Sequence, residues 1–371
     1  MERDIPSIAG NFRISGEIAE FNPVTIGHIN DSYIIRMTGN DAGYFLQWVN
    51  SYIFKDIAGL MKNIEIVTRH IASKLNSSGS HDNFQVLELI PALDGKYYYR
   101  DQDNEYWRMY RNIPGTHVYD IVENETIAFE GGKAFGHFIS DLADLPSSKL
   151  SETIPDFHNM ESRLANFHNS VKADVASRKK NIENEIRFVE ERTGQMLSIP
   201  RLIKEGRLPM RITHNDTKFN NILFNKDNKA MCIVDLDTVM PGCMLYDFGD
   251  AIRTGANTVC EDEKDLSLVD INLDIYQAYA RGFIRETQKS LSKDEIDNLA
   301  FSARFMTYII GLRFLTDYLD GDPYFRTNYP DHNLDRARVQ FRLLEAMEQK
   351  AEAMEKIVRK AWENSRASGN Q

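Results

Sequence analysis

Cysteines are few in this sequence, and long apolar runs are absent. Its 371 residues include three cysteines, Cys232, Cys243 and Cys260, which cannot all pair with one another and lack the spacing of metal ligands. We therefore expect three reduced thiols. No apolar run approaches the roughly 20 residues that a transmembrane helix needs, and the first residues lack the basic and apolar segments of a secretory signal. These absences predict a cytoplasmic protein with no membrane partner.

An excess of basic residues is also missing. The 44 Lys and Arg residues are outnumbered by 55 Asp and Glu residues, which gives a net charge of −11. Proteins that bind nucleic acids hold the phosphate backbone with clustered basic residues, so this balance argues against a nucleic-acid partner. The length fits two or three folding units, or a single enzyme with two lobes.

Two patterns of hydrophobicity divide the chain. In the first part, short β-branched and aromatic runs separated by Gly, Pro, Asn and Asp predict strands, with one amphipathic helix at residues 50–75. After a Pro-Gly break the apolar residues recur with a helical period almost to the end, including a last long helix at 334–364. The sequence thus predicts an α+β protein with a strand-rich unit at residues 1–112 and a mainly helical unit at residues 113–371.

The densest polar cluster of the chain surrounds a hairpin predicted inside the helical unit. Residues 213–221 precede the hairpin, and Asp235 and Asp237 follow its second strand. A loop carboxylate, an amide oxygen and a second carboxylate can then converge on one point. Such oxygen atoms suit Mg²⁺, which usually shares its coordination shell with substrate phosphates. The pattern is typical of phosphoryl-transfer enzymes, in which positioning and charge neutralisation supply most of the catalysis.

The same residues resemble the catalytic loop of aminoglycoside phosphotransferases and choline kinases, which are relatives of the protein kinases. The match is His214-x-Asp216-x-x-x-x-Asn221 followed by Asp235. The resemblance implies a bilobal protein-kinase-like fold, in which Asp216 accepts or orients the proton of the attacking hydroxyl and His214 is structural. Asn221 and Asp235 would hold Mg²⁺ on ATP. Asp237 would be either a second metal ligand or a residue that orients the first ligand.

A second acidic triplet, Asp247-Phe248-Gly249, spells the metal-binding motif of protein kinases but lies farther from the loop. Asp247 follows Asp216 by 31 residues, whereas Asp235 follows it by 19. The short hairpin therefore favours Asp235 as the metal ligand. We interpret Asp247 and Asp250 as structural carboxylates that cap the next helix or pair with Arg253.

The nucleotide side of the predicted site lies in the strand-rich unit. Gly27 and Asn30 fall in the turn between the first two strands, where a kinase-like fold covers the ATP phosphates with backbone N–H groups. The adenine-binding hinge is expected near residues 108–112, where Arg108 and Tyr110 are the candidates, at the end of the last strand before the break. These four residues are therefore candidates for contact with ATP.

The third strand departs from the kinase pattern. A lysine should lie there to bind the α- and β-phosphates, but the sequence has Gln47, which can hydrogen-bond a phosphate without neutralising its charge. The usual ion pair from that lysine to a helix carboxylate, for which Glu65 is the candidate, would then be absent or replaced. Gln47 and Glu65 stay the candidates for the phosphate side of the site, and another basic residue of the strand-rich unit would have to compensate.

This departure and further stretches make the sequence resemble the N-acetylhexosamine 1-kinases of bacterial amino-sugar salvage. The resemblance covers most of the chain, and its matching stretches are residues 27–30, 46–47, 213–218, 235–242, 246–250, 313–325 and 329–334. Members of that family transfer the γ-phosphoryl group of ATP to the anomeric hydroxyl of N-acetylglucosamine or N-acetylgalactosamine. The resemblance implies that His28, Arg313 and Tyr324 bind the sugar alongside Asp216.

Each of these sugar-binding candidates also has an alternative role. Arg313 interrupts an apolar helical stripe, where a buried arginine needs a partner, and that partner is either the sugar or Asp317 one helical turn on. His28 either donates to a sugar oxygen or caps its turn. Tyr324 either stacks on the sugar ring or packs on the lobe.

Two other functions fit part of the pattern. A kinase of an aminoglycoside, choline or another amine alcohol would need a pocket lined by carboxylates, and the acidic net charge agrees with that, but Arg313 lies in the expected acceptor region. A catalytically silent, pseudokinase-like nucleotide-binding module would account for Gln47. Such a module has little reason to retain Asp216, Asn221 and Asp235 together.

Overall fold

The strand-forming runs of the first part come together in one antiparallel sheet. The structure, a computed structural model, describes residues 3–24, 30–78 and 84–368. The strands of this sheet are β1 (Ile18–Val24), β2 (Ser32–Met37), β3 (Asn40–Val49), β4 (Leu89–Ile90), β5 (Tyr99–Arg100) and β6 (Tyr106–Arg111). Their order is β1-β2-β3-β6-β4, with β5 paired to β6. A short helix, α1 (Ile5–Ala9), precedes the sheet, and the longer α2 (Ile57–Ser78) lies between β3 and β4 in the chain.

Strand alternation gives this sheet two different faces. Leu46, Trp107 and Met109 belong to a small buried core that the sheet shares with α1. Gln47 and Arg108 are directly paired across β3 and β6. Because successive side chains of a strand point to opposite sides, these two polar residues lie on the other face. The sheet therefore presents them towards the helical part of the chain.

After residue 112 the helical period of the apolar residues is realised in a succession of α-helices. They are α3 (Glu125–Asp141), α4 (Met160–Ala173), α5 (Glu183–Met196), α6 (Ser198–Lys204), α7 (Met244–Gly255), α8 (Leu273–Thr287), α9 (Lys293–Leu319), α10 (His332–Gln349) and α11 (Ala351–Ser368). The start of α9 is fixed by a capping box, in which Ser292 and Glu295 each accept the other's backbone N–H. None of the helices in the described part of the chain is both long and apolar enough to cross a bilayer.

Close packing of α3 on α8 forms one wall of the main core. A Cβ atom at Gly132 would lie 2.2 Å from the carbonyl oxygen of Tyr279, so only glycine allows this approach. Phe135 and Phe138 of α3 meet the ring of His214 edge-on. The wall therefore lies directly behind the loop that the sequence singles out as catalytic.

A small strand island interrupts the helices, as predicted. The predicted hairpin consists of β8 (Ile222–Phe224) and β9 (Ala230–Ile233), and the pairing of β7 (Met210–Thr213) with β10 (Met240–Cys243) adds a second strand pair that the sequence pattern did not reveal. Met240 faces Thr213 in that pair. The segment before β8 and the segment after β9 are thereby brought to the same end of the island.

Two helix boundaries differ from the sequence prediction. The helix predicted at 50–75 begins at Ile57, because the side chain of Asp56 accepts the backbone N–H of Gly59 as an N-cap does. The helix predicted at 334–364 breaks at Lys350 into α10 and α11. α10 packs on α9, whereas α11 packs mainly on α8. The chain must therefore change direction there, although no Pro or Gly marks the position.

Candidate active site

The loop after β7 is held from below by two carboxylates of α7. Asp247 accepts the backbone N–H of His214 at 2.8 Å and that of Asn215 at 2.7 Å. Asp250 accepts the backbone N–H of Thr217 at 3.1 Å. It also pairs with Arg253 at 2.8 Å, which confirms the predicted pairing of these two residues. Burial raises the pKa of Asp247 to about 7. Asp247 is thus structural, as expected, but it binds the loop instead of capping a helix.

Two buried histidines hold the same loop from the sides. The Nε2 atom of His214 lies 3.0 Å from the carbonyl oxygen of Val234, and burial lowers the pKa of this imidazole. The Nε2 atom of His158, which precedes α4, lies 2.9 Å from the carbonyl oxygen of Asn215, and burial lowers the pKa of His158 to about 3. Burial thus favours the neutral form of both rings. His158 lies outside any recognisable sequence motif, so sequence reasoning did not identify it.

Asp216 lies at the open side of the loop, with its side chain 27% exposed. Asn221 donates through Nδ2 to the Asp216 carbonyl oxygen at 2.8 Å and to its Oδ2 at 3.2 Å. The ammonium of Lys218 lies 3.4 Å from the Asp216 carboxylate. Burial would raise the pKa of Asp216, but neighbouring cations, Lys218 foremost, outweigh it and lower that pKa below its ordinary value. Sequence reasoning missed Lys218, although it stands two residues after Asp216 in the polar cluster.

Asp235 follows β9 with its backbone in the left-handed region, at a φ of 57°. A residue in this conformation costs roughly 1–3 kcal/mol, and such residues cluster at functional sites. The Asp235 side chain is exposed to solvent, yet the surrounding protein and the carboxylates of Asp237 and Asp216 raise its pKa to about 7. Negative charge is therefore crowded at this point.

The donor set around Asp235 fits Mg²⁺. Asn221 uses its Nδ2 atom on Asp216, so its amide oxygen is the atom that suits a cation. A cation there would also relieve the repulsion that raises the pKa of Asp235. Within the described ranges, no three His, Cys, Asp or Glu side chains group closely enough to hold a metal ion. Phosphate oxygens and water would therefore complete the coordination shell.

Asp237 is bound by Arg108 of β6 and by Asn30, which lies two residues before β2. Its Oδ1 atom accepts from Arg108, and its Oδ2 atom accepts from Nδ2 of Asn30 at 2.7 Å. Arg108 also donates from Nε to Oε1 of Gln47 at 2.9 Å, while Nε2 of Gln47 donates to the Ser32 hydroxyl at 3.0 Å. Arg108 and Asp237 are 1% and 3% exposed, so this ion pair is buried. The structure thus joins Asn30, Gln47, Arg108 and Asp237, four of the predicted site residues, in one network.

The other residues predicted on the nucleotide side divide into three cases. Glu65 lies outside the network, because its carboxylate pairs with Arg69 at 3.1 Å and Lys62 at 3.5 Å on its own helix. The ring of Tyr110 lies beneath the Arg108 guanidinium, 5.5 Å from ring centre to guanidinium carbon. Gly27 lies outside the described residues, as does the sugar-binding candidate His28.

Arg313 of α9 lies among three aromatic rings. Its guanidinium carbon is 4.9 Å from the ring centre of Phe157, 5.4 Å from that of Phe325 and 5.6 Å from that of Tyr324. We call these three residues the aromatic cage. No hydrogen bond or ion pair joins Arg313 to another residue of the described chain, and burial lowers its pKa. Phe157 directly precedes His158, which contacts the catalytic loop, so the cage lies beside that loop.

The alternative partner of Arg313 is occupied elsewhere. Asp317 accepts the backbone N–H of Tyr324 at 2.9 Å, that of Phe325 at 3.0 Å and the Nδ2 atom of Asn333 at 2.9 Å. The predicted alternative of an Arg313–Asp317 salt bridge is therefore wrong. The same hydrogen bonds fix the loop after α9 and leave Tyr324 48% exposed at the cage.

Comparison with protein families gives this arrangement a context. Residues 62–284, more than half of the chain, match the model of the Phosphotransferase enzyme family (APH). The chain therefore belongs to the Phosphotransferase enzyme family. Its class is that of small-molecule kinases that phosphorylate an alcohol group.

Several solved structures share the fold of this chain. An aminoglycoside phosphotransferase from Alicyclobacillus acidocaldarius superposes with a TM-score of 0.61 at 10% identity, covering 98% of both chains. A spectinomycin phosphotransferase in complex with ADP and spectinomycin gives 0.57 at 11% identity, covering 93% of this chain and 98% of that chain. A choline kinase from Cryptosporidium parvum gives 0.57 at 12% identity, covering 94% and 96%. The predicted protein-kinase-like fold is thereby confirmed.

Proposed function

We propose that this protein transfers the γ-phosphoryl group of ATP to the anomeric (C1) hydroxyl of an N-acetylhexosamine and releases the sugar 1-phosphate. The observation that carries the proposal is Arg313, a guanidinium without a protein acceptor in the described chain, enclosed by the aromatic cage beside the catalytic loop. Its N–H donors suit the hydroxyls and the acetamide oxygen of a sugar. Flat rings such as that of Tyr324 suit the apolar face of a sugar.

Asp216 is the catalytic residue of the proposed reaction. Its ionised carboxylate orients the C1 hydroxyl and accepts its proton while that oxygen bonds to the γ-phosphorus and the bond to ADP breaks. Lys218, 3.4 Å from Asp216, places a positive charge where the transferred group passes. Mg²⁺, held by Asn221 and Asp235, would supply neutralisation of the β- and γ-phosphate charge.

ATP is proposed to lie between two lobes, residues 1–112 and 113–371. The sheet of the first lobe contributes Gln47, Arg108 and Tyr110 from its inner face, Asn30 precedes β2, and the strand island of the second lobe contributes the catalytic loop. Gly27 and His28 stay predictions from the sequence, as phosphate-covering and sugar-binding residues. A cytoplasmic location also stays a prediction.

A kinase of an amine alcohol is the second candidate, because a choline kinase and a spectinomycin phosphotransferase share this fold. A cationic acceptor would meet Arg313, and it would also meet Arg163. Arg163 lies beside the aromatic cage, because it donates from Nε and Nη2 to the carbonyl oxygen of Phe157 at 3.2 and 2.9 Å, and burial and the charge of Arg313 lower its pKa. Two neighbouring cations disfavour a third, so the acceptor pocket favours a neutral sugar.

An acceptor panel tests the proposal. ADP release is measured with ATP, Mg²⁺ and each of N-acetylglucosamine, N-acetylgalactosamine, glucosamine, choline and an aminoglycoside. The methyl glycoside of N-acetylglucosamine is the matched control, since it keeps every group except the free C1 hydroxyl. The proposal predicts turnover with at least one N-acetylhexosamine and none with its methyl glycoside. Turnover with choline or the aminoglycoside alone would establish the second candidate instead.

A further inference from the structure

The positive charge that the third strand lacks is present on the neighbouring strand. Arg108 of β6 is paired directly with Gln47 of β3, and the two side chains share the inner face of the sheet. Gln47 accepts from Arg108 and donates to Ser32, so both ends of its amide are engaged in fixing the guanidinium. Gln47 thus takes no lysine-like role itself but orients a cation.

The charges around Arg108 indicate what that cation does. Asp216, Asp235 and Asp237 follow β7 and β9 at one end of the strand island, where Arg108 pairs with Asp237 and the ammonium of Lys218 lies 3.4 Å from the Asp216 carboxylate. An anionic nucleotide would approach this group of three carboxylates. Without Arg108, these carboxylates would oppose nucleotide phosphates with less balanced negative charge.

Asp237 and Asn30 complete the arrangement. Burial alone would lower the pKa of Arg108, but the ion pair with Asp237 outweighs it and raises that pKa. Asn30 occupies the second oxygen of Asp237. Because Arg108 and Asn30 each engage one oxygen of Asp237, this carboxylate anchors the segment after β9 to the strand-rich part of the chain.

We propose that Arg108 replaces the lysine of the third strand: clamped between Gln47 and Asp237, its guanidinium supplies the fixed positive charge of the phosphate site. Asp237 is then the carboxylate partner of this cation, in the role for which Glu65 was the candidate. Arg108 is a positioning residue, since it acts through Asp237 and through its field. The proposal rests on the proposed function only in requiring that the site binds an adenine nucleotide.

Binding of ADP provides a readout that needs no acceptor. Titration calorimetry with and without Mg²⁺ would compare the wild type with Arg108→Met. Loss of a charged partner predicts a Kd for ADP raised by about 10- to 100-fold, and the increase should persist without Mg²⁺. Arg111→Met is the matched control. Arg111 lies on the same strand as Arg108 and pairs with Glu88, but its side chain is 40% exposed. Its Kd should equal that of the wild type.

A double variant that moves the positive charge from position 108 to position 47 completes the test. In Arg108→Met/Gln47→Lys, a lysine on the third strand can pair with Asp237, so the double variant should fold even where the single variant does not. We expect it to recover ADP affinity, and we expect the KM for ATP to change across the series while the KM for the sugar does not. Normal ADP affinity in folded Arg108→Met would overturn the proposal. So would a double variant that fails to fold or that folds without regaining affinity.

The proposed function and this inference fail separately. If no sugar is phosphorylated but ADP affinity follows the charge at positions 47 and 108, the acceptor is wrong and the role of Arg108 stands. If the sugar is phosphorylated and the ADP affinity does not change with the substitutions at positions 47 and 108, only the role of Arg108 is wrong.

Discussion

Replacing Arg313 by methionine should separate activity from stability. In the free protein this guanidinium makes no ion pair with the described residues, and burial lowers its pKa. Methionine keeps an unbranched chain against the aromatic cage and removes a charge that lacks a partner. The lost cation–π contacts, about 0.5–2 kcal/mol, offset the relieved burial of charge, so the free energy of unfolding should stay within about 1 kcal/mol of the wild type.

The effect on catalysis should be much larger. Two hydrogen bonds from a charged donor to sugar oxygens are worth about 3 kcal/mol at the low end of their range, which corresponds to roughly a 100-fold fall in kcat/KM for the sugar. The KM for ATP should not change, because the cage contacts the acceptor alone. Steady-state kinetics in both substrates and denaturant unfolding of the same preparations measure the two effects.

Arg192 offers a matched control for this experiment. Its guanidinium carbon lies 3.7 Å from the ring centre of Phe188, but the guanidinium also forms a bidentate ion pair with Glu348. Arg192→Met should therefore lose stability and keep full activity. If Arg313→Met had normal kcat/KM, Arg313 would have no part in acceptor binding. If it lost more than about 2 kcal/mol of stability, the role would be structural.

Three further outcomes follow from the site. Asp216→Asn should lower kcat by about 10²- to 10⁴-fold with unchanged ADP affinity in calorimetry, and normal turnover would remove Asp216 from its role. Tyr324→Ala should raise the KM for the sugar by several-fold, whereas Tyr324→Phe should leave it near the wild-type value, because the ring and not the hydroxyl makes the contact. Equal KM values for the two variants in steady-state kinetics would contradict stacking. His158 protonates near pH 6.5 when unfolded but only near pH 3 when folded, so its contribution to stability is present above pH 6.5 and is lost as the pH falls. His158→Gln should therefore flatten the pH dependence of the unfolding free energy by about 1.4 kcal/mol per pH unit between about pH 6 and pH 4, and parallel curves would argue against it.

The fold was predictable because its signals are local. Alternation with period 2 and apolar stripes with period 3.6 separate the sheet from the helices without any knowledge of contacts. The break at Lys350 was not predictable, since it depends on which helices α10 and α11 cover. The pairing of β7 with β10 was missed for a similar reason, because these short strands are separated by the whole hairpin.

The candidate site was predictable where its residues flank one hairpin and was not predictable where they come from distant segments. Asp216, Asn221 and Asp235 stand at set spacings around a hairpin, so the motif alone suggests their roles. The ion pair of Arg108 with Asp237 joins residues 129 positions apart, and no local pattern reports it. Burial decides the protonation state of His158, and burial is a property of the fold.

The position of the transferred phosphate tests whether the protein phosphorylates the anomeric hydroxyl of an N-acetylhexosamine. After complete turnover with ATP, Mg²⁺ and N-acetylglucosamine or N-acetylgalactosamine, ³¹P NMR with correlation to the sugar protons identifies the phosphorylated oxygen. A sugar 1-kinase should give coupling of phosphorus to the anomeric proton in the product of at least one of the two sugars. Phosphorus coupled to the protons at C6, or product formed from amine alcohols alone, would contradict it.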